Sequence, residues 1–260
     1  MKKLTFTLCS LALATASAAS SASDTYILNG NIYTKQNSWI VEAGVAGSSD
    51  LVKDQKDNVG PLLNVGYQGE DFNVAVSGIN YRFLGNDSDR VNMSAYLSSS
   101  GLAFDKDSSD YLKGMSKRKM SVDLGLNADF KTAQGTLSTY FQHDVSGAYK
   151  GYNASIRYFH PMSLGTMDFV PFTGLSYLNE DYVDYYFGVK KKEATAKRKA
   201  YKGSGDFSYH VGYKLILPLS EQWELTQTTS FQRLGKKIAD SPIVDDANQW
   251  MLGATVAYHF

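Results

Sequence analysis

Cysteine is almost missing from this chain. The one instance, Cys9, lies in the first apolar stretch, so a chain processed beyond it has no disulfide, no thiol nucleophile and no Cys-ligated metal. Proline is scarce, at 5 of 260 residues, and no proline-rich or serine-rich linker divides the chain after its first residues, which favours one domain. No apolar run reaches the ~20 residues of a membrane-spanning helix. An excess of either charge is missing too, with 26 basic residues against 26 acidic ones. That balance argues against a nucleic-acid binder, although it leaves room for local charge blocks.

The N-terminus has an organisation of its own. Lys2 and Lys3 precede an apolar stretch of roughly Leu4 to Ala14, then the small-residue run Ala16-Ser17-Ala18-Ala19-Ser20-Ser21-Ala22. A basic start, a short apolar centre and A-x-A sites predict a bacterial secretory signal peptide over 1–22, with cleavage within 18–22. Residues 23–260 then form the mature domain, with 24 basic and 26 acidic residues.

That domain is rich in tyrosine (18) and glycine (22), and its apolar residues fall on alternate positions. In QWMLGATVAYHF, at the C-terminus, Trp250, Leu252, Ala254, Val256, Tyr258 and Phe260 are apolar, and the interleaved set is small or polar apart from Met251. KMSVDLGLNADF (119–130) and DFSYHVGYKLIL (206–217) repeat the comb, the second with Ile216 as its exception. A period of two predicts a strand with one apolar and one wetter face. Shorter versions at 38–47, 61–68, 72–83, 91–102, 136–145, 150–160, 167–178 and 222–234 bring the strands to eleven. Twelve residues at ~3.3 Å each, tilted by ~40°, rise about 30 Å, enough for the ~25 Å apolar band of an outer membrane. Phe130, Phe207, Trp223, Trp250, Tyr258 and Phe260 lie at strand ends, where an interfacial girdle belongs. Links at 131–135, 161–165 and 218–222 are tight, and those at 103–118, 179–205 and 235–247 are long. The expectation is an all-β protein of the Gram-negative outer membrane: a single closed antiparallel barrel of about 12 strands, with short periplasmic turns and long extracellular loops. An even number is needed to bring both ends to one side, and either 25–34 or 181–189 could supply the twelfth strand.

On this phase the lumen receives Glu42, Asp123, Arg157, His210, Lys214 and Glu224, and with them His259. They fit either a polar conduit or binding site, or a structural network of opposite charges filling a modest lumen. His143 and Asp144 are adjacent on one strand and point to opposite faces. No nucleophile motif and no metal-ligand spacing stands out, so no catalytic, cofactor or metal residue is assigned. The most charged stretch is KKKEATAKRKAYK. Lys190, Lys191, Lys192, Lys197, Arg198, Lys199 and Lys202 oppose Glu193 alone. In an external loop they would face lipopolysaccharide phosphates or an anionic host surface, or would simply be solvated.

PFTGLSYLNEDYVDYYFGV (171–189) and IADSPIVDDANQWMLGATVAYHF (238–260) resemble the MipA/OmpV family of outer-membrane proteins. The first matches its P-F-x-G-L-S-x…D-Y…Y-F-G-V pattern, and the second its S-P-I-V loop and closing strand. The resemblance implies a non-enzymatic barrel and supplies no catalytic residues. In one branch it implies a scaffold between murein-processing enzymes. In the other it implies osmotic or salt response and surface adhesion, and the lysine-rich run after Y-F-G-V departs from the scaffold branch. The leading expectation is thus a structural, scaffolding or surface role, with a small-solute channel as alternative and an outer-membrane hydrolase as a remote one. The closing strand, with Val256, Tyr258 and Phe260, also resembles the signal read by the outer-membrane assembly machinery, which joins lipid and lipopolysaccharide as an expected partner.

Overall fold

A computed structural model describes residues 25–56 and 58–260. The signal peptide expected over 1–22 lies outside the described residues.

The first two strands, β1 (Tyr26–Leu28) and β2 (Asn31–Tyr33), pair only with each other. The sheet then runs through β3 (Ser38–Ser48), β4 (Val59–Gln68), β5 (Phe72–Ala75), β6 (Gly78–Leu84), β7 (Val91–Ser100) and β8 (Ser121–Lys131). It continues through β9 (Thr136–Asp144), β10 (Tyr152–Phe159), the short β11 (Met162–Leu164) and β12 (Met167–Leu178). Helix α1 (Glu180–Phe187) precedes β13 (Asp206–Pro218) and β14 (Trp223–Arg233), and α2 (Lys236–Ala239) precedes β15 (Asn248–His259). No helix among the described residues is long and apolar enough to cross a membrane.

Antiparallel pairing joins each wall strand to the next, β15 to β3 and β10 to β12, with β11 a side ribbon on β12. The result is a closed barrel of twelve strands, β3 to β10 and β12 to β15, in which no strand is left at a sheet edge over its full length. The alternation dictates the faces. Trp250, Leu252 and Val256 of β15 lie exposed on the outer wall, while Gly253, Thr255, Ala257 and His259 point inward and are buried.

Neither segment expected to supply the twelfth strand does so. Residues 25–34 contain the β1–β2 hairpin, turned at Asn29-Gly30 with φ of 50° and 63°. Both turn residues have positive φ, the geometry for which Asn-Gly is the preferred hairpin turn. Residues 181–189 begin as α1 instead. Asn179 caps it by accepting from the Tyr182 amide, Glu180 and Asp181 sit in its first turn, and Tyr182, Val183, Tyr186 and Phe187 are buried at helical spacing. The extra strand comes from 72–83, where Val76 and Ser77 form a two-residue turn between β5 and β6. The outward apolar set switches there from Phe72 and Val74 to Ile79, Tyr81 and Phe83, a phase slip that a single strand cannot have.

The long connections fold together at one end of the barrel. Tyr149, Tyr182, Val183, Tyr186, Phe187, Leu234, Ile238 and Val244 form one apolar cluster. Val52, Phe104, Leu112, Met115, Val189 and Ile243 form another. These loops therefore make a dome with its own core. At the other end the turns are short.

Candidate functional site in the lumen and the loop dome

The β1–β2 hairpin lies inside the barrel. Ile27 is buried against inward-facing Phe159, Val170 and Ile216 near the periplasmic ends of β10, β12 and β13, with Ile32 packed on the same cluster, and Leu28 is buried as well. Polar groups of the wall hold its backbone and side chains. The Asn29 amide donates to Asp129 Oδ2 at 2.7 Å, and Thr25 Oγ1 to Asp168 Oδ2 at 2.6 Å. Arg157 Nη1 donates to the Gly30 carbonyl at 3.3 Å, and Asn80 Nδ2 to Tyr33 Oη at 3.1 Å. Buried polar groups need such partners, and here the partners come from four wall strands, β6, β8, β10 and β12.

The six lumen residues all point inward but do not form one cluster. Arg157 lies beside the hairpin, its Nε donating to His210 Nε2 at 3.0 Å and its Nη2 to Tyr140 Oη at 3.2 Å. Glu224 lies near the periplasmic end, 3.3 Å from His259 Nε2. Glu42 accepts from Thr255 Oγ1 and, at 3.5 Å, from Asn64 Nδ2. Asp123 sits near the dome and accepts from Gln142 Nε2 at 2.6 Å and Tyr149 Oη at 2.7 Å. Lys214 lines a central cavity of about 410 Å³ and, among the described residues, makes no ion pair. His143 faces outward and Asp144 inward, where Asp144 accepts the amides of Ser146, Gly147, Tyr149 and Lys150 and fixes that loop.

The hairpin's anchors Asp129, Asp168 and Asn80 are absent from the sequence-derived set. All three occupy inward phases of their strands, so a polar side chain on the wet face was the available signal. What that face would meet was not.

In the dome, Lys190, Lys191, Lys192, Lys197, Lys199 and Lys202 are exposed. Arg198, expected to face outward with them, does not. It is 2% exposed, and its guanidinium donates to the carbonyls of Glu193, Tyr111 and Lys113. Glu193 is buried as well, its carboxylate 3.2 Å from Arg118 Nη2. Arg118 in turn donates to the carbonyls of Tyr185, Ser116 and Gly188. Burial alone would raise the Glu193 pKa, but hydrogen bonds from the Ser116 amide and the Arg118 guanidinium outweigh it and hold the group at about 2. Two buried arginines thus tie the loop after β7 to the loop after β12.

At the C-terminus, Val256 is on the outer wall and Tyr258 packs between Trp223 and Phe260, with ring centroids 4.8 and 4.7 Å away. The Phe260 amide donates to the Trp39 carbonyl at 2.9 Å, which extends the β15–β3 seam to the last residue.

The family described as "MltA-interacting protein MipA" matches residues 41–260. Outer membrane protein OmpV of Vibrio cholerae serotype O1 is 59% identical over 92% of this chain and 93% of its own. Outer membrane protein Omp26La of Vibrio anguillarum is 57% identical over the same shares. MltA-interacting protein of Escherichia coli K12 is 25% identical over 84% of this chain and 88% of its own. Barrel, coverage and identity agree: the chain belongs to the MipA/OmpV family and is an outer-membrane protein.

Proposed function

We propose that this protein is a non-catalytic interaction protein of the outer membrane whose working surface is the extracellular dome. One observation carries the reading. The β1–β2 hairpin packs inside the lumen near the periplasmic end and the long loops build a core of their own at the other, an arrangement that favours a plugged barrel over a wide axial passage. A rigid dome with its own core and a buried ion pair suits recognition, because little ordering entropy remains to be lost on binding. The six exposed lysines make anionic surfaces, lipopolysaccharide phosphates or a host surface, the complementary partners.

Conductance across a planar bilayer tests the axial part. Refolded full-length protein should give no stable unitary currents, and their appearance would restore the small-solute channel. The surface part predicts salt-sensitive binding to lipopolysaccharide, and binding indifferent to ionic strength would count against it.

A murein-enzyme scaffold is the second reading, and the name of the Escherichia coli relative favours it. It places the contact at the periplasmic end, where β11 and the short turns supply the surface. Cross-linking in cells followed by mass spectrometry separates the two readings. Murein enzymes among the products support the scaffold, and their absence leaves the dome as the interacting face.

A further inference from the structure

The barrel wall has a window in it. β4 pairs with β3 along its whole length, but with β5 only over Gly66–Gln68. The Gly69 amide donates to Phe72 on the β5 side, and the Asn58 carbonyl accepts from Ser48 on the β3 side. Alternation along an antiparallel strand then turns the main-chain groups of Val59, Pro61 and Leu63 toward the β5 side, past the β5–β6 turn that stands opposite Val65. No strand among the described residues runs there. Pro61 has no N–H to leave unpaired, which is why proline is tolerated on an edge.

Across the opening β7 pairs with β6 as far as Ser98 and ends at Ser100, so the opposite jamb is the loop that follows it. The sill is the β5–β6 turn, tied to β7 by the bond from the Ser99 amide to the Ser77 carbonyl. The lintel is the contact between two loops, with the Lys56 amide bonded to the Ser108 carbonyl and Lys56 paired with Asp110 at 3.2 Å.

The 410 Å³ cavity is lined by inward-facing Asn80, Tyr96 and Ser98 and also by Ser77 of the turn and by Ile79, Leu97 and Ser99 of the outward phase, so it reaches the wall at the level of the sill. A Cβ placed on Gly60 would meet nothing within 4 Å, and Leu62, on the inward phase, is still 37% exposed. Tyr67, against Trp39 at 5.4 Å, marks the periplasmic belt. Eight residues of tilted strand raise Val59 about 20 Å above it, so the window faces the outer half of the bilayer.

Unpaired main-chain groups are not tolerated against hydrocarbon, where each costs several kcal/mol. Water reaching them from the lumen side can meet them, which requires the opening to be wet on its inner face. The outer rim is apolar, with Leu63 and Val76 at 72% and 71% exposure. Behind it lies a polar chamber in which Arg157, Glu42 and Glu224 have hydrogen-bond or ion-pair partners, and Lys214, within electrostatic reach of Glu224, makes no ion-pair contact among the described residues.

We propose that the window is a lateral binding site for a single-chain amphiphile with a carboxylate head, a long-chain fatty acid. Its tail stays in the outer leaflet against Leu63, Val76 and Leu97. Its carboxylate enters the chamber and pairs with Lys214.

Full-length protein refolded into phospholipid bilayers and irradiated with a diazirine-labelled fatty acid provides the test. Adducts should concentrate at 60–65, 76–79 and 97–99. Palmitate should displace the probe about tenfold better than hexadecanol, the equivalent of one charge-assisted hydrogen bond. Lys214→Gln should erase that preference, and Gly60→Trp, which fills the opening, should cut the adducts about tenfold. Heat-modifiable gel mobility verifies that each variant is a folded barrel, and Ser99→Trp replaces Gly60→Trp if the latter is not. Adducts spread evenly around the belt would overturn the proposal. So would equal competition by acid and alcohol in the parent, a preference that survives Lys214→Gln, or adducts unchanged by the filling variant.

Discussion

Arg198 stands in the most basic stretch of the chain and is nonetheless a structural residue. Its donors are spent on three loop carbonyls, and those of Arg118 on Glu193 and three more. Removing one partner from a buried ion pair typically costs about 3–5 kcal/mol, because the other charge stays behind unpaired. Glu193→Gln should therefore loosen the dome, and Arg198→Gln should do so by leaving the carbonyls of Glu193, Tyr111 and Lys113 without their donor, both read as protease cleavage within 101–120 and 179–205 while the barrel stays intact. Lys197→Gln with Lys199→Gln should leave cleavage unchanged and weaken lipopolysaccharide binding at low salt. The pH dependence follows from the depressed Glu193 carboxyl. Its contribution to folding is complete above the ordinary value of 4.5 and is lost as pH falls through about 2. Loop protease resistance should consequently hold at pH 5 or so and fall in that acid window, and a dome whose resistance did not change there would contradict the assignment. Composition alone could mark these residues as charged. It could not separate buried from solvated ones, because their acceptors are main-chain carbonyls as many as 87 residues away.

Read from sequence, 72–83 is one strand and 25–34 and 181–189 are the alternatives for the twelfth, and each of the three segments carries a local sign of its true state. Asn29-Gly30 is a preferred hairpin turn, Asn179 followed by two acids is a helix start, and the slip of apolar phase across Ser77-Gly78 marks a reversal. The hairpin is the element on which axial closure depends. Gly30, at φ +63°, has no room for a β-branched residue in conformational terms, and Gly30→Val should cost roughly 1–2 kcal/mol or more of hairpin stability. Hydrogen exchange at 26–33 should accelerate accordingly. Deleting 25–34 leaves every wall strand in place, since β3 begins at Ser38. That variant should conduct ions where the full chain does not, and a silent variant would place the block in the dome alone.

For the whole molecule, closure is the decisive event, and the last strand makes it by pairing with β3 from Met251 to His259. Phe260 is 70% exposed beside Tyr258, and we propose that it belongs to the signal read by the assembly machinery. Phe260→Asp should lower the outer-membrane fraction of the protein and its heat-modifiable form, and normal assembly would remove Phe260 from the recognition signal. The barrel, its strand phase and its girdle were legible beforehand because alternation and strand length are local consequences of the pleat and of a solvent that differs on the two sides. The same pattern named the inward residues Glu42, Asp123, Arg157, His210, Lys214 and Glu224. Tertiary structure alone decided what those residues meet: a hairpin folded into the lumen, a roof of loops, and a window where β4 outruns its short neighbour. These depend on which distant strands become neighbours and how far each extends. Such pairings are set by contacts across the chain, and no single strand's alternation encodes them.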